Sequence, residues 1–216
     1  MAEGVKATRR YESPRRREQA EATRGAILDA AERLFLRDGY PATTMAAIAA
    51  EARVALKTVY VAFESKGGLL RALWNHRLRA EDEDRPMGRH PDYLAVLAEP
   101  DPERKLRHNA RNSRLGKLRI GALADVVRSA APGDAEMAAL WETINREYHA
   151  NQEAVVRSLA DLGALRDGLD VARATDVLWT LNHPSTWQLL VVQRGWTPEE
   201  YERWTADSAC AQLLAD

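Results

Sequence analysis

Three features of the 216-residue sequence predict an all-α fold. Nearly every long segment repeats its apolar residues at helical spacing, and no segment of any length alternates apolar and polar residues with period two. Proline and glycine gather at a few places, including Gly39 to Pro41, Pro132-Gly133, Gly163 to Gly168 and Gly195 to Pro198, and so divide the chain into helix-length pieces. No apolar run approaches the roughly 20 residues of a membrane-spanning helix.

Ile27, Leu28, Ala31, Leu34 and Phe35 form the apolar stripe of a first helix, and Gly39 sits where a helix C-cap wants a residue free to take positive φ. Thr43 or Thr44 N-caps a short second helix with Met45, Ile48 and Ala49 on its inner face, ending near Glu51. A third short helix follows Val54, with Val59, Tyr60 and Phe63 on one side. Ser65 caps a fourth helix that packs Leu69, Leu70, Leu73 and Trp74 and runs to about Glu81. Prolines 86, 91, 100 and 102 make the next stretch a connector with at most one short turn. Helices are then expected near 102–114, 116–130, 134–163, 170–194 and 198–214.

Composition narrows the function. Cys210 is the only cysteine, so intrachain disulfides and thiolate metal clusters are excluded. The five histidines show no metal-ligand spacing, no glycine-rich loop follows a strand, and no nucleophile motif is present, so neither a metal, a cofactor, nor an enzyme activity is expected. The polar, charged N-terminus lacks the apolar core of an export signal, which places the protein in the cytoplasm. Net charge is −1, but residues 1–25 carry seven cations against four anions, leaving −4 for the rest. A basic leading segment on an acidic body suits contact with a polyanion at one end.

The second and third helices, joined by about three residues, have helix-turn-helix proportions, in which the second member enters the DNA major groove. In "ALKTVYVAFESK", Val59 and Phe63 anchor the helix while Leu56, Lys57, Thr58 and Tyr60 face phosphates and base edges. Thr43, Thr44 and Lys66 are expected to add phosphate contacts at helix starts, and Arg15, Arg16 and Arg17 to reach backbone or minor groove.

The run from Arg24 to Leu73 resembles the N-terminal domain of the TetR family of bacterial transcriptional regulators. The resemblance is carried by Phe35, Gly39-Tyr40, Thr43-Thr44, Ile48-Ala49, Ala52-x-Val54, Thr58-Val59-Tyr60, Phe63, Ser65-Lys66 and Leu69-Leu70. The segment from Asp176 to Leu214 resembles the last two helices of many members. The resemblance implies a basic flexible arm (1–20), a helix-turn-helix domain (21–67) and a helical effector-binding and dimerisation domain (68–216). The implied partners are a palindromic double-stranded operator, a small-molecule effector and a second copy of the chain, with no membrane. Three departures bear on DNA binding: Arg53 stands at the turn position usually held by Gly, Ala55 replaces a common Ser at the start of the recognition helix, and Val61 and Ala62 stand at two late positions of that helix that are usually polar or aromatic.

All six tryptophans lie beyond the helix-turn-helix. Trp141 and Tyr148, and Trp179 and His183, share helix faces. Trp74, Asn112, Trp141, Tyr148, Trp179, Asn182 and His183 are therefore candidates to line an effector cavity, against the plainer possibility of core aromatics. Such a cavity would hold an apolar or aromatic ligand whose few polar groups meet His183, Asn182 or Asn112. Pro184 removes a backbone hydrogen bond and leaves a spare carbonyl nearby. Trp187, Leu189, Leu190, Val192 and Trp204 are expected at a four-helix dimer interface. The function expected is a TetR-type repressor released by a small ligand; the alternative is a dimeric interaction module that has lost specific DNA binding.

Overall fold

The computed structural model describes residues 14–79 and 91–215, and among them every regular element is helical. In chain order these are α1 (Pro14–Ala42), α2 (Met45–Glu51), α3 (Leu56–Phe63), α4 (Lys66–Arg79), α5 (Pro91–Ala98), α6 (Pro102–Ala130), α7 (Ala135–Asp161), α8 (Val171–Asn182), α9 (Pro184–Trp187) and α10 (Pro198–Leu213). A 3₁₀ turn, Ala131–Gly133, joins α6 to α7, and a π-helical segment, Gln188–Gln193, follows α9.

Most helix starts are written in the local sequence. Asp101, Asp134 and Asp170 accept backbone N–H groups at the heads of α6, α7 and α8, and Thr197 forms a reciprocal capping box with Glu200 at α10. Gly39, at φ 77, interrupts α1 where the C-cap was expected.

Four expectations need correction. Residues 14–20 belong to α1 and not to an arm: Pro14 suits a first helical turn and Arg17 pairs with Glu21 one turn on, at 3.6 Å. The rest of the expected arm, 1–13, lies outside the described residues. The connector contains α5, two turns long, whose last carbonyls are taken by a buried lysine: Lys105 Nζ donates to Val96 O (3.2 Å) and Leu97 O (2.7 Å). α6 runs unbroken through Gly116, since one glycine lowers helix stability by about 1 kcal/mol but removes no hydrogen bond. The helix expected over 170–194 ends at Asn182, where His183 turns extended (ψ 143) ahead of Pro184.

Two apolar clusters form the core. The first joins Ile27, Leu34 and Phe35 of α1 with Ile48, Val59, Phe63 and the α4 leucines, and continues without interruption into Leu123 and Val127 of α6 and Met137 and Leu140 of α7. The second unites α5, the latter half of α7, α8 and α10 around Leu106, Val155, Leu159 and Leu178. The expected boundary at 67–68 therefore falls inside the first cluster.

Candidate DNA-binding surface and ligand cavity

The turn between α2 and α3 closes as a Schellman motif. Arg53 N donates to Ala50 O (3.1 Å) and Val54 N to Ala49 O (3.0 Å), with Arg53 left-handed at φ 56. Arginine thus adopts the backbone that glycine was expected to supply. Ala55 makes no side-chain cap, as its identity predicts, so α3 begins without that bond. Its far end is held by α1: the Arg24 guanidinium lies 4.3 Å over the Phe63 ring and Nη1 donates to Ala62 O. Glu64, at φ 62, then turns the chain out of α3.

With Val59 and Phe63 buried, α3 presents Leu56, Lys57, Thr58 and Tyr60 together on an exposed edge, Leu56 being 41% and Tyr60 48% accessible. Arg15, Arg16 and Arg17 are exposed on the first turns of α1, and Thr44 is exposed while its hydroxyl caps α2.

Two of the expected contact residues point elsewhere. Thr43 is 2% accessible and donates its hydroxyl to Gly39 O at 2.8 Å. Lys66 is turned inward: Nζ donates to Tyr40 O (2.8 Å) and Thr43 O (3.0 Å) and sits 4.2 Å over the Tyr40 ring. It ties α4 to the loop before α2, and burial lowers its pKa. A further tie reaches the head from α7: Ser65 Oγ donates to Glu136 Oε2 (3.2 Å) and accepts from Gly68 N (2.8 Å).

A cavity of about 190 Å³ opens between α4, α5, α6 and α7. Trp74, Asn112 and Tyr148 line it, as expected. Trp141, Trp179, Asn182 and His183 do not. His183 packs edge-on to Trp179 (4.7 Å) and Trp141 (6.1 Å), and its ring Nε2 meets Asn145 Oδ1 at 3.0 Å. Because His183 Nδ1 accepts from Ser185 N, Nε2 is left to donate, which fixes a neutral ring; burial, then the charges of Lys117 and Arg128, lower its pKa. At these residues the plainer core packing holds. The carbonyl that Pro184 cannot reach, Thr180 O, accepts from Thr186 Oγ1 at 2.7 Å, and two others left open where α8 ends are taken by tyrosines, Tyr148 OH to Asn182 O (2.8 Å) and Tyr201 OH to Leu181 O (2.9 Å).

The cavity's polar groups were missed from sequence. Asn109 Nδ2 donates to Gln152 Oε1 at 2.9 Å across α6 and α7. Lys117 is 7% accessible, with Nζ bonded to Ser113 Oγ and 3.4 Å from Tyr148 OH. Burial alone pushes its ammonium down to about 7, no carboxylate among the described residues standing close enough to oppose it. The signal was present: Ala110, Lys117, Gly121 and Ala124 share one helical stripe, so the lysine stands on the inner face of α6.

Of the residues expected at a dimer interface, Leu189 (54%) and Val192 (62%) are exposed and Leu190 is half-buried. Trp187 and Trp204 are instead satisfied within the chain. Trp187 lies edge-on to Tyr201 at 5.0 Å and beside Gly121; Trp204 packs on Trp196 at 6.0 Å.

Comparison with known proteins agrees with this geometry. Residues 27–73 match the sequence model of bacterial regulatory proteins, tetR family. The HTH-type transcriptional regulator TtgR of Pseudomonas putida is 39% identical over 84 residues, 34% of this chain and 40% of that protein. The chain thus aligns with less than half the length of that relative. Among solved structures, NalD, the secondary repressor of the MexAB-OprM multidrug efflux pump in Pseudomonas aeruginosa, superposes with a TM-score of 0.68 at 22% identity, covering 90% of this chain and 98% of that one. A TetR transcription regulator from Haloarcula marismortui gives 0.67 at 19%, covering 90% and 100%. A complex of SmeT with triclosan gives 0.65 at 20%, covering 90% and 93%. These likenesses extend the fold to 90% of the chain, while the sequence match falls on residues 27–73, which carry the exposed helix and are similar to the bacterial regulatory proteins of the tetR family.

Proposed function

We propose that the chain is a homodimeric transcriptional regulator that holds a palindromic operator and releases it when a small molecule enters the cavity between α4 and α7. The observation that carries this reading is α3 itself. Its back is fixed by Val59, Phe63 and the Arg24 clamp, and its front offers Leu56, Lys57, Thr58 and Tyr60 to a groove. Arg15, Arg16 and Arg17 extend the same basic end along α1. An interaction module without DNA binding, raised by Arg53, Ala55, Val61 and Ala62, is not favoured, because Arg53 leaves the Schellman turn closed and α3 still presents its polar edge.

Dimerisation through the segment from α8 to α10 is supported by Leu189 and Val192, apolar side chains left exposed among the described residues. Release by a ligand is supported by the physical link between cavity and head. α4 carries Trp74 in the cavity wall and is tied at its start to Glu136 of α7, the helix that also contributes Tyr148. A ligand that prefers one spacing of α4 and α7 would shift the separation of the two α3 helices in a dimer away from successive major grooves, about 34 to 36 Å apart. SmeT, a structural neighbour, is seen with triclosan, and NalD is a repressor of an efflux pump, which favours a repressor opened by a small organic molecule. Fluorescence anisotropy on DNA upstream of the chain's own gene, read across a salt series, tests the reading. Saturable binding that weakens steeply with salt and is lost in a Lys57→Ala, Tyr60→Ala double variant supports it, and salt-independent or absent binding refutes it.

A further inference from the structure

The hydrogen-bond directions around Lys117 are fixed by one backbone carbonyl. Tyr148 OH has a single proton, and it goes to Asn182 O at 2.8 Å. The Tyr148 oxygen is then an acceptor only, so the Ser113 hydroxyl, 3.1 Å away, donates to it. Ser113 Oγ in turn accepts from Lys117. The chain of donors therefore runs Lys117 to Ser113 to Tyr148 to Asn182, with Lys117 at its open end. An ammonium has three N–H groups; one is used by Ser113, and Tyr148 OH at 3.4 Å takes at most a second. At least one remains for the space that Lys117 lines.

Among the described residues the same surroundings leave the charge unanswered. Among the described residues the groups facing Lys117 are Ser113 on its own helix, Tyr148 from α7 and the Tyr201 ring from α10, 5.4 Å from Nζ; the neutral His183 is near enough for the charge of Lys117 to lower its pKa. The ionisable side chains that also line the cavity, Asp92, Arg119 and Glu147, are exposed on its outer side, and none pairs with Lys117. Elsewhere the wall combines Trp74, Ile120, Ala124 and Ile144 with the uncharged amides Asn109, Asn112, Asn151 and Gln152. A buried cationic donor with no counter-charge among the described residues, in a cavity whose inner wall is otherwise aromatic, aliphatic and uncharged amide, suits a complementary anion.

We propose that the cavity binds an aromatic acid, whose carboxylate or phenolate oxygen takes the free N–H of Lys117 while its ring lies against Trp74 and Ile120. This rests on the cavity being the effector site and narrows the effector from an apolar or aromatic molecule to one with an anionic oxygen. Binding would hold Lys117 in its charged form, so an anion arriving above neutral pH must bring a proton to the site, whereas a neutral analogue must not.

The test uses the full-length protein with a matched pair of probes, 2-naphthoate and 2-naphthamide, titrated by calorimetry at pH 6.5 and in two pH 8 buffers of different ionisation enthalpy, alongside operator anisotropy. The acid is expected to bind at least about tenfold more tightly than the amide at the lower pH and to take up close to one proton at the higher. In Lys117→Met, which keeps the side chain's length and is checked by circular dichroism and ligand-free operator binding, the preference should fall to near unity and the proton uptake vanish. Equal or tighter binding of the amide, retention of the preference in Lys117→Met, or no saturable binding of either probe would overturn the inference. If the amide alone releases the operator, the effector site stands and the acid specificity falls. If the acid binds through Lys117 but leaves operator affinity unmoved, the specificity stands and the effector role falls.

Discussion

Replacing Arg53 by glycine should stabilise the protein, against the usual expectation that a glycine weakens a fold. Arg53 occupies φ 56, where a Cβ crowds the following carbonyl and costs roughly 1 to 2 kcal/mol. Glycine removes that strain but gives the unfolded chain more freedom, an opposing effect of about 0.4 to 1 kcal/mol. The Arg53 side chain is exposed and has no bonded partner among the described residues, so its loss subtracts little. The net expectation is a gain of about 0.5 to 1 kcal/mol, or a melting temperature higher by about 1 to 3 °C in a protein of this size. Urea unfolding followed by tryptophan fluorescence measures it, at fixed protomer concentration because a dimer's apparent stability depends on mass action. Arg53→Ala is the control, since it removes the same guanidinium but keeps the Cβ. The reasoning is refuted if the glycine variant is no more stable than the alanine variant.

Other outcomes follow from the same structure. Lys57→Ala should lower the slope of log affinity against log salt by about one if the amine meets a phosphate, or relax specificity at one base pair by about 1 to 3 kcal/mol if it meets a base; an operator-binding series across salt and sequence variants distinguishes these, and unchanged binding removes Lys57 from the interface. Val192→Glu, at an exposed site, should give monomers in sedimentation while helix content is kept; a full dimer would move the interface elsewhere. Because burial holds Lys117 near 7 in the folded chain and its ordinary value is 10.5, the unfolded chain binds the extra proton between those values, so stability from this group should rise with pH across that window, by at most about 1.4 kcal/mol per unit. Subtracting the pH profile of Lys117→Met isolates this slope, and a flat difference would show that the ammonium is solvated. Gly68→Ala should unfold the head, because a Cβ there would lie 2.5 Å from Phe63 O; near-native melting would contradict the close approach.

What could be read in advance was what depends on neighbours in sequence. The stripe of α1 and the inner face of α3 are decided by residues within a turn or two and appear where the periodicity places them, while the left-handed turn at Arg53 falls where the family resemblance puts glycine. Lys66 was misjudged for the complementary reason. Its partners are carbonyls of Tyr40 and Thr43, brought beneath it by packing of α1 against α4, and nothing local distinguishes a solvated lysine from one aimed inward. Pro184 signalled a lost hydrogen bond within the helix expected over 170–194, but not that α8 would end there, and the tyrosines that occupy its last carbonyls come from α7 and α10. The cavity shows the same limit, since Tyr148 could be named from its helix face whereas the charge of Lys117 acquires meaning only when three helices close around it.

The unbroken first core has a practical consequence for anyone building hybrid regulators. A chimaera cut between residues 67 and 68 would deliver the exposed helix while leaving behind Leu69, Leu70, Leu73 and Trp74, and with them the seat that Leu123, Val127, Met137 and Leu140 provide. The transplanted piece would carry its address-reading surface on an apolar stump. A graft that is to keep the donor's DNA preference in a foreign sensor must instead match the recipient's α6 and α7 to the donor's α1 and α4, so the unit of exchange is a packed surface and not a stretch of chain.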